Sequence, residues 1–524
     1  MVYTHSVSKL ALGAVLSASL LFGGCKDKDA NNPKKASNAI VKVETRKVNE
    51  AEAQKALQAL SLAESGSGNF QWADKSGSAG NYVYTDVTLK GEKGKPLHVG
   101  KMEIKGVHMQ DEKAVFDKAA FYDMNIEDDD AVVKIDKLTL IKPSPTLANE
   151  LARAFSGDEN AFENVEGDIS FGGFELAGLD VKADDGNMKL KNLEFGEAKD
   201  KTGVFTLSSL EFDGQGKGDN VKFSLDSVQV HGANIQKYKG LFSAAMKESK
   251  EGKVSEDAMK QFMSGMNPYD PDFKDFSIRG LHIAGDGMQI KLDSYEGKAD
   301  RKGDKIYMST KMSPLTIAPS KDTKNKDIQK MAEALETLGY ESLDFTMGGT
   351  SVIDAANDNM KSDDTYLELK DGFRLSYNYD LDGYKAFVQK MMAASTNGEK
   401  ANPMAAMGAM NTLRVNRVKL SLRDDSIIDR AFKFAAKEQG SSVDQLKQQA
   451  KMGLAFAGMM AKDEAQQKLA TELAGAVTKL IDDGGTLVID MNPKEPVDMG
   501  ALMAGGMGGG NFDVSKLGIT ITHE

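Results

Sequence analysis

Cysteine is almost missing from this chain. Cys25 is the only one among 524 residues, so no intrachain disulfide can staple the fold, which must rest on packing. Long hydrophobic runs are scarce as well. Residues 10–22, preceded by Lys9, form an apolar stretch too short to cross a bilayer and with the charged and apolar regions of an export signal. No later run is long enough to span a membrane. Positive charge is in the minority: 66 Lys and Arg against 78 Asp and Glu leave a net charge of −12, which argues against nucleic acid or an anionic lipid surface as an electrostatic partner. The chain also lacks G-x-S-x-G, H-E-x-x-H and a P-loop, so three familiar routes to enzyme chemistry are closed. What is present, 40 % apolar and 27 % charged residues, describes a globular exported protein.

The residues before the lone cysteine, Leu20-Leu21-Phe22-Gly23-Gly24, resemble the lipobox of bacterial lipoproteins. The resemblance implies signal cleavage between Gly24 and Cys25 and a diacylglyceryl group on the Cys25 thiol. Acyl chains contribute about 0.8 kcal/mol per buried CH₂, so two or three of them anchor a domain without any transmembrane helix. Lys26, rather than Asp, follows the cysteine, which by the same resemblance points to the outer membrane facing the periplasm. Residues 26–39, rich in Lys, Asp and Asn, read as a solvated tether. The expected organisation is a signal peptide at 1–24, a tether at 25–40, a β-meander domain with inserted helices at 41–320, and a second β-repeat domain, helix-rich, at 321–524.

A repeat carries most of the structural information. Apolar residues recur at places 1, 3, 6 and 8 of an octet: LHVGKMEI at 97–104, VKIDKLTL at 133–140, FELAGLDV at 174–181, MKLKNLEF at 188–195, FTLSSLEF at 205–212 and FSLDSVQV at 223–230. The same phase appears at 82–89, 276–283, 413–420 and 512–519, and more weakly at 119–126. Places 1 and 3 alternate as in a strand, and so do 6 and 8, but the two-residue gap between them breaks the period of two. A β-bulge inserting one residue restores the later pair to the original face and bends the strand. The competing reading makes each central pair a tight turn, but pairs such as Asp226-Ser227 and Lys191-Asn192 lack the glycine that hairpin turns want. Acidic, Gly-rich connectors at 127–131, 183–187, 196–203 and 213–220 join the octets as an antiparallel meander would.

Helices punctuate the repeat. SPTLANELARAF, NIQKYKGLFSAAMKES, DLDGYKAFVQKMMAA and DDSIIDRAFKFAAKEQG each begin near Asp, Ser or Asn and carry apolar residues at helical spacing. Two more, at 442–462 and 463–483, read as an apolar pair, while 397–411 and the glycine run 505–511 read as links. The expected fold class is α+β: a long curled antiparallel β-meander of bulged strands with interspersed amphipathic helices and a helix-rich C-terminal part.

Candidate chemistry is thin. His98, His108, His231 and His282 fall on predicted strands with no close partner, the pattern of surface or satisfied histidines rather than ligands. Asn378, Asp380 and Asp382 alternate before Gly383 like a calcium loop, but Gln389 stands where the bidentate Glu belongs, and a capped turn explains Asp382 and Gly383 more simply. The acidic stretch from Asp354 reads as a solvated loop that a hard cation could enter. The glycine run lacks the strand, Lys and Ser or Thr of a phosphate loop. Methionine is abundant, 27 residues including Met404, Met407, Met410, Met452, Met459 and Met460, and with no Cys or His interleaved it suits packing or an apolar groove better than copper. No catalytic residue, metal or cofactor is expected.

The repeated short strands with polar connectors resemble the β-rich, AsmA-like envelope proteins, whose grooves carry lipid, and the segment LSLRDDSIIDRAFKFAAKEQGSS resembles uncharacterised exported proteins of Gram-negative bacteria. A curled sheet has an apolar face that side chains, helices or a ligand must fill. The expectation is a non-enzymatic lipoprotein, joined to the membrane through its N-terminal lipid anchor, that binds lipid or another apolar ligand in a curved β groove. The alternative is a structural or interaction lipoprotein whose core is closed and ligand-free.

Overall fold

The computed structural model describes residues 46–524 apart from 67, 91–95, 128–130, 159–160, 163–164, 166, 168, 185, 199–200, 216–219, 234–268, 396–407, 460–463 and 507–512. The fold is mostly antiparallel sheet, a long meander that does not close, with helices interspersed. The chain divides into two compact units. The first takes the described residues through Ala233 together with Asp272–Gly280, and the second takes residues 269–271 and Leu281–Glu524.

In the first unit, helix α1 (Glu50–Ala59) precedes the short strands β1 (Phe70–Gln71) and β2 (Asp74–Ser78), both paired with β3 (Asn81–Lys90). The meander continues through β4 (Pro96–Lys105), β7 (Lys118–Glu127), β8 (Ala131–Ile141), β9 (Gly173–Ala183), β10 (Gly186–Glu197), β11 (Gly203–Gln215) and β12 (Asn220–Ala233), each antiparallel to the last. A separate hairpin, β5 (His108–Gln110) with β6 (Lys113–Val115), interrupts it, and helix α2 (Pro145–Ser156) lies between β8 and β9. β13 (Asp275–Gly285) begins in this unit.

The octets lie inside single strands. Their central pairs are not turns, and the reason is visible in the ladder. Between β3 and β4 the pairing runs Thr85↔Lys101 and then Val87↔Val99, leaving Asp86 and Gly100 off the ladder at the same level. The omission repeats at Gly100 and Asp123, Asp123 and Asp136, Asp136 and Gly178, Gly178 and Lys191, Lys191 and Ser209, and Ser209 and Asp226. One extra residue in one strand would slip the register, whereas one in each partner cancels. The level holds across eight strands.

The off-ladder residues alternate in conformation. Asp86 (φ 49), Asp123 (φ 54), Gly178 (φ 65) and Ser209 (φ 49) are left-handed, as is Gly280 (φ 64) of β13 beside Asp226, and Gly100, Asp136, Lys191 and Asp226 are not. Asp and Gly are residue types that tolerate this region. Glycine is required where an aspartate leans across: a Cβ on Gly178 would sit 1.9 Å from Asp136 Oδ2, and one on Gly280 would sit 2.0 Å from Asp226 Oδ2.

In the second unit the meander runs β14 (Met288–Lys302), β15 (Lys305–Pro319), β16 (Leu343–Asp354), β17 (Asn359–Leu369), β18 (Phe373–Asp382), β19 (Arg414–Asp424), β20 (Gly485–Met491) and β22 (Ile519–His523), with the short β21 (Val497–Asp498) beside β19. Helices α3 (Lys326–Thr337), α4 (Tyr384–Ser395), α5 (Ile427–Gln439), α6 (Val443–Met459), α7 (Glu464–Asp483) and α8 (Met499–Gly506) are set between strands. The extra residues here are unmatched, so the register steps between β15 and β16, β16 and β17, β17 and β18, and β18 and β19.

Three expectations need correction. The C-terminal part is not distinguished by helix: seven strands, β16 to β22, form its framework, because alternating segments such as those of β17 and β18 pair over their whole length while the helices fill connections. The octet ending at Ile519 is no strand, since Asp513 caps a 3-10 helix over Val514–Leu517 by accepting from Ser515 N at 3.1 Å, and Gly518 (φ 58) turns the chain before β22. One helix cap comes from afar, Asp358 Oδ1 accepting from Lys385 N at 2.8 Å at the start of α4, whereas α5 is capped within its expected stretch, Asp424 Oδ1 accepting from Ile428 N at 3.1 Å. The proposed helix NIQKYKGLFSAAMKES lies outside the described residues.

Gly178→Ala is expected to destabilise the protein by at least about 1–2 kcal/mol, the cost of a left-handed residue bearing a Cβ. Adding Asp136→Gly should recover the steric part, read from urea midpoints. Coincident midpoints for Gly178→Ala and the parent would refute this account of the ladder.

Candidate functional site

Because the off-ladder residue keeps octet places 1, 3, 6 and 8 on one face, those places align into four apolar rows. The inner pair of rows flanks the bulge level. One runs Tyr84, Met102, Phe121, Leu138, Leu176, Leu193, Leu207, Val228, and each member stands directly opposite the next. The other runs Val87, Val99, Met124, Ile135, Leu179, Leu190, Leu210, Leu225. The outer rows follow the same pairing, and one of them ends Val181, Met188, Phe212, Phe223. Directly opposed apolar pairs each add roughly 0.2–1 kcal/mol.

What covers the rows changes along the sheet. At β3, β4 and β7 the cover is helical: Ala53, Ala56 and Leu57 of α1 and Ala148, Ala152 and Phe155 of α2 join Tyr84, Met102 and Ile104 in one core. Phe70 anchors it, its ring 5.1 Å from Phe155 and 5.9 Å from Tyr84. From β8 to β12 the core cluster among the described residues comes from strands, with Leu179, Leu190, Leu193 and Leu207 nearly dry and Phe174, Met188, Phe205 and Phe223 only partly buried beside them; Phe174 also packs on Phe171, in a cluster with Leu147, Val165 and Ile169. Phe212 is 41 % exposed, against 1 % for Leu190. On β9, β10 and β11 enclosure therefore falls from the bulge level outward, whereas on β8 and β12 the outer Val133 and Val230 are buried and the inner Ile135, Leu138 and Leu225 only partly so.

The opposite face is polar. Lys137 pairs with Glu175 at 2.7 Å, Lys101 with Glu103 at 2.9 Å, and Lys101 sits 4.2 Å over the Tyr122 ring.

A second, polar site lies in the other unit, where the structure places the suspected calcium residues. Asp380 and Asp382 lie on one face of β18, as strand alternation requires. Asn359 of β17 donates to Asp380 Oδ1 at 2.7 Å and to Asp382 Oδ1 at 2.9 Å. Asn416 donates to the same two oxygens at 3.1 and 3.0 Å. Asn416 is the unmatched extra residue of β19, between Asp380↔Arg417 and Leu381↔Val415. Lys361 meets Asp380 Oδ2 at 2.6 Å. Burial pushes the Asp380 carboxyl up, but the hydrogen bonds from Lys361, Asn359 and Asn416 outweigh it and hold the group below the usual carboxylate range. With these residues Lys305, Asp354 and Asn357 line a pocket of about 330 Å³.

That arrangement replaces the calcium loop. Asn378 lies in the strand with its Oδ1 enclosed and unpartnered, and Gln389 belongs to α4. Gly383 (φ 85) makes the expected turn, but the cap is Asp358 and not Asp382. Among the described residues no group of three or more His, Cys, Asp or Glu is disposed to hold a metal ion. Sequence reasoning missed Asn359, Lys361 and Asn416, whose only signal was polar alternation in strands that pair with β18.

The histidines are not brought together. His98 is exposed on β4, and His108 is buried with Nδ1 2.7 Å from Gly106 O. His282 has its Nε2 enclosed without a partner among the described residues. His231, expected to lack a close partner, has one: its Nδ1 lies 2.5 Å from Asp275 Oδ1, and that hydrogen bond raises the imidazole above its ordinary value. Met410 and Met452 are 40 and 55 % exposed and so fill no core. Met404, Met407, Met460, Gly24 and Cys25 lie outside the described residues, as do residues 507–510 of the glycine run, whose first two residues close α8.

A family model described as an uncharacterized protein matches residues 366–524. No curated protein matches the chain.

Leu190→Ala should cost about 2–5 kcal/mol and the exposed Phe212→Ala less than about 1 kcal/mol, compared by denaturant unfolding. The His231 value is raised by folding, so the stability it adds is complete below about pH 6.5 and lost as pH rises through the raised value. His231→Gln is expected to remove that decline from the stability–pH curve; an unchanged curve would contradict it.

Proposed function

We propose that this protein is a membrane-anchored envelope lipoprotein, lipid-modified at Cys25 and held at the outer membrane facing the periplasm, whose sheet takes an acyl chain or comparable apolar ligand. The reading involves no catalytic step. The observation that carries it is the gradient of enclosure over β9 to β11, within apolar rows that continue from β8 to β12. Left-handed residues at one level bend alternate strands, and a sheet bent along that line curls into a groove. The inner rows then sit at the bottom and the half-buried Phe174, Phe205 and Phe223 with the exposed Phe212 form the walls. Five strands span roughly 19 Å across the hydrogen-bonding direction, a length suited to a long acyl chain. Each CH₂ buried there would contribute about 0.8 kcal/mol.

The anchor reading draws on residues 20–25. No helix among the described residues is long and apolar enough to cross a membrane.

A second reading, a structural or interaction lipoprotein with a closed core, is favoured by the dryness of the inner rows, where Leu179 is 2 % and Leu207 is 3 % exposed. The two part on a single experiment. Full-length protein extracted from membranes is examined for co-purified lipid by mass spectrometry and titrated with a fluorescent fatty acid. The groove predicts saturable uptake that falls at least about tenfold in Phe212→Asp with Phe223→Asp, with the thermal midpoint of the protein retained. No bound lipid and no uptake would leave only the closed core. Cys25→Ala should release the protein from the membrane fraction.

A further inference from the structure

The polar pocket of the second unit lies apart in sequence from the apolar rows, and its chemistry is different. Two aligned rows of strand residues build it. Lys305, Asp354, Asn359 and Asp382 stand opposite one another in turn, and Tyr307, Val352, Lys361 and Asp380 do the same one strand position along the face. Asn416 joins them because it is an unmatched extra residue.

Charge decides what the pocket suits. Its three carboxylates each face a cation: Lys361 at 2.6 Å from Asp380, Lys305 at 3.3 Å from Asp354, and Arg414 at 3.7 Å from Asp382. A divalent cation would have to displace the ammonium and amide donors already on Asp380 and Asp382, and an anion would meet three carboxylates. The balanced site favours a neutral ligand. It also presents donors and acceptors side by side, since Lys305 and Lys361 keep 51 and 56 % of their side chains exposed, and the amide oxygens of Asn359 and Asn416 have no partner among the described residues. A hydroxyl group both donates and accepts, so a run of hydroxyls on a rigid ring matches such a surface where an apolar or singly charged molecule would leave groups unpaired.

An apolar platform completes it. Tyr307 is 41 % exposed, two residues from Lys305 on the same face of β15 and directly opposite Val352, which lines the pocket. Lys302 lies 5.3 Å from its ring, and an exposed aromatic ring is a surface on which the C–H face of a sugar ring can stack. A pocket of about 330 Å³ is at the small end of ligand sites, the size of one or two rings.

We infer that the face formed by β15 to β19 is a binding site for a neutral saccharide, with the amide oxygens of Asn359 and Asn416 and the ammonium groups of Lys305 and Lys361 reading hydroxyls and Tyr307 stacking on the ring. Full-length protein is titrated calorimetrically with tri- to pentasaccharides of glucose, galactose, mannose and N-acetylglucosamine, and with calcium chloride and inorganic phosphate as charged probes. At least one saccharide is expected to bind saturably. Asn416→Ala should weaken it about tenfold. Because Asn416 also shapes the strand, Tyr307→Ala serves as the second variant: it leaves the ladder intact and should weaken binding about fivefold, with an unchanged thermal midpoint. Silence from every saccharide, binding of calcium or phosphate alone, or saccharide binding indifferent to both variants would each overturn the assignment.

Discussion

The first unit depends on one backbone constraint: every meander strand from β3 to β12 carries a residue off the ladder at one shared level. Since side chains alternate with a period of two, an odd insertion in a single strand would send half its apolar residues to the polar side. Matching the insertion in each neighbour keeps the register and returns places 6 and 8 to the face of places 1 and 3. Where a glycine of this level faces an aspartate, as at Gly178 with Asp136 and Gly280 with Asp226, the carboxylate occupies the space that a Cβ would need.

In the second unit the constraint is relaxed, and the sheet changes character. Unmatched extra residues step the register between four successive strand pairs. Asn416 is such an extra residue, and it reaches the two aspartates of β18. The core is correspondingly divided, with Leu335, Tyr340 and Leu369 in one cluster and Ala476, Leu480 and Leu487 in another. A tertiary contact compensates at α3, whose terminal carbonyls on Leu338 and Gly339 accept from Arg430 at 2.8 and 2.7 Å while its guanidinium lies 4.3 Å over Tyr340. Regular insertion thus yields a continuous apolar surface and irregular insertion yields local polar sites.

Much of the first unit was legible in its residues. The octet phase, read as a bulge rather than a turn, places Leu190 and Leu193 on one face and Lys191 off the ladder, and the hairpins fall at the acidic connectors. The polar pocket was legible only in fragments. Asn378, Asp380 and Asp382 alternate visibly, but alternation suits a strand face and a metal loop equally, and nothing local to β18 announces that Asn359 and Asn416 will flank it. The same limit applies to His231, whose partner Asp275 lies 44 positions away.

By itself the sequence determined the period: which residues are apolar, where the spare one falls, and hence that strands bend rather than reverse. Period is a local property, set by the alternation of side chains along an extended backbone and readable within eight residues. Only the tertiary structure decided whether neighbouring spare residues meet at one level. Register couples residues that are distant along the chain, and it is settled by packing and by the room left for an aspartate beside a glycine. That level produces the continuous rows of the first unit, and its loss produces the stepped sheet of the second and the meeting of two asparagines with two aspartates.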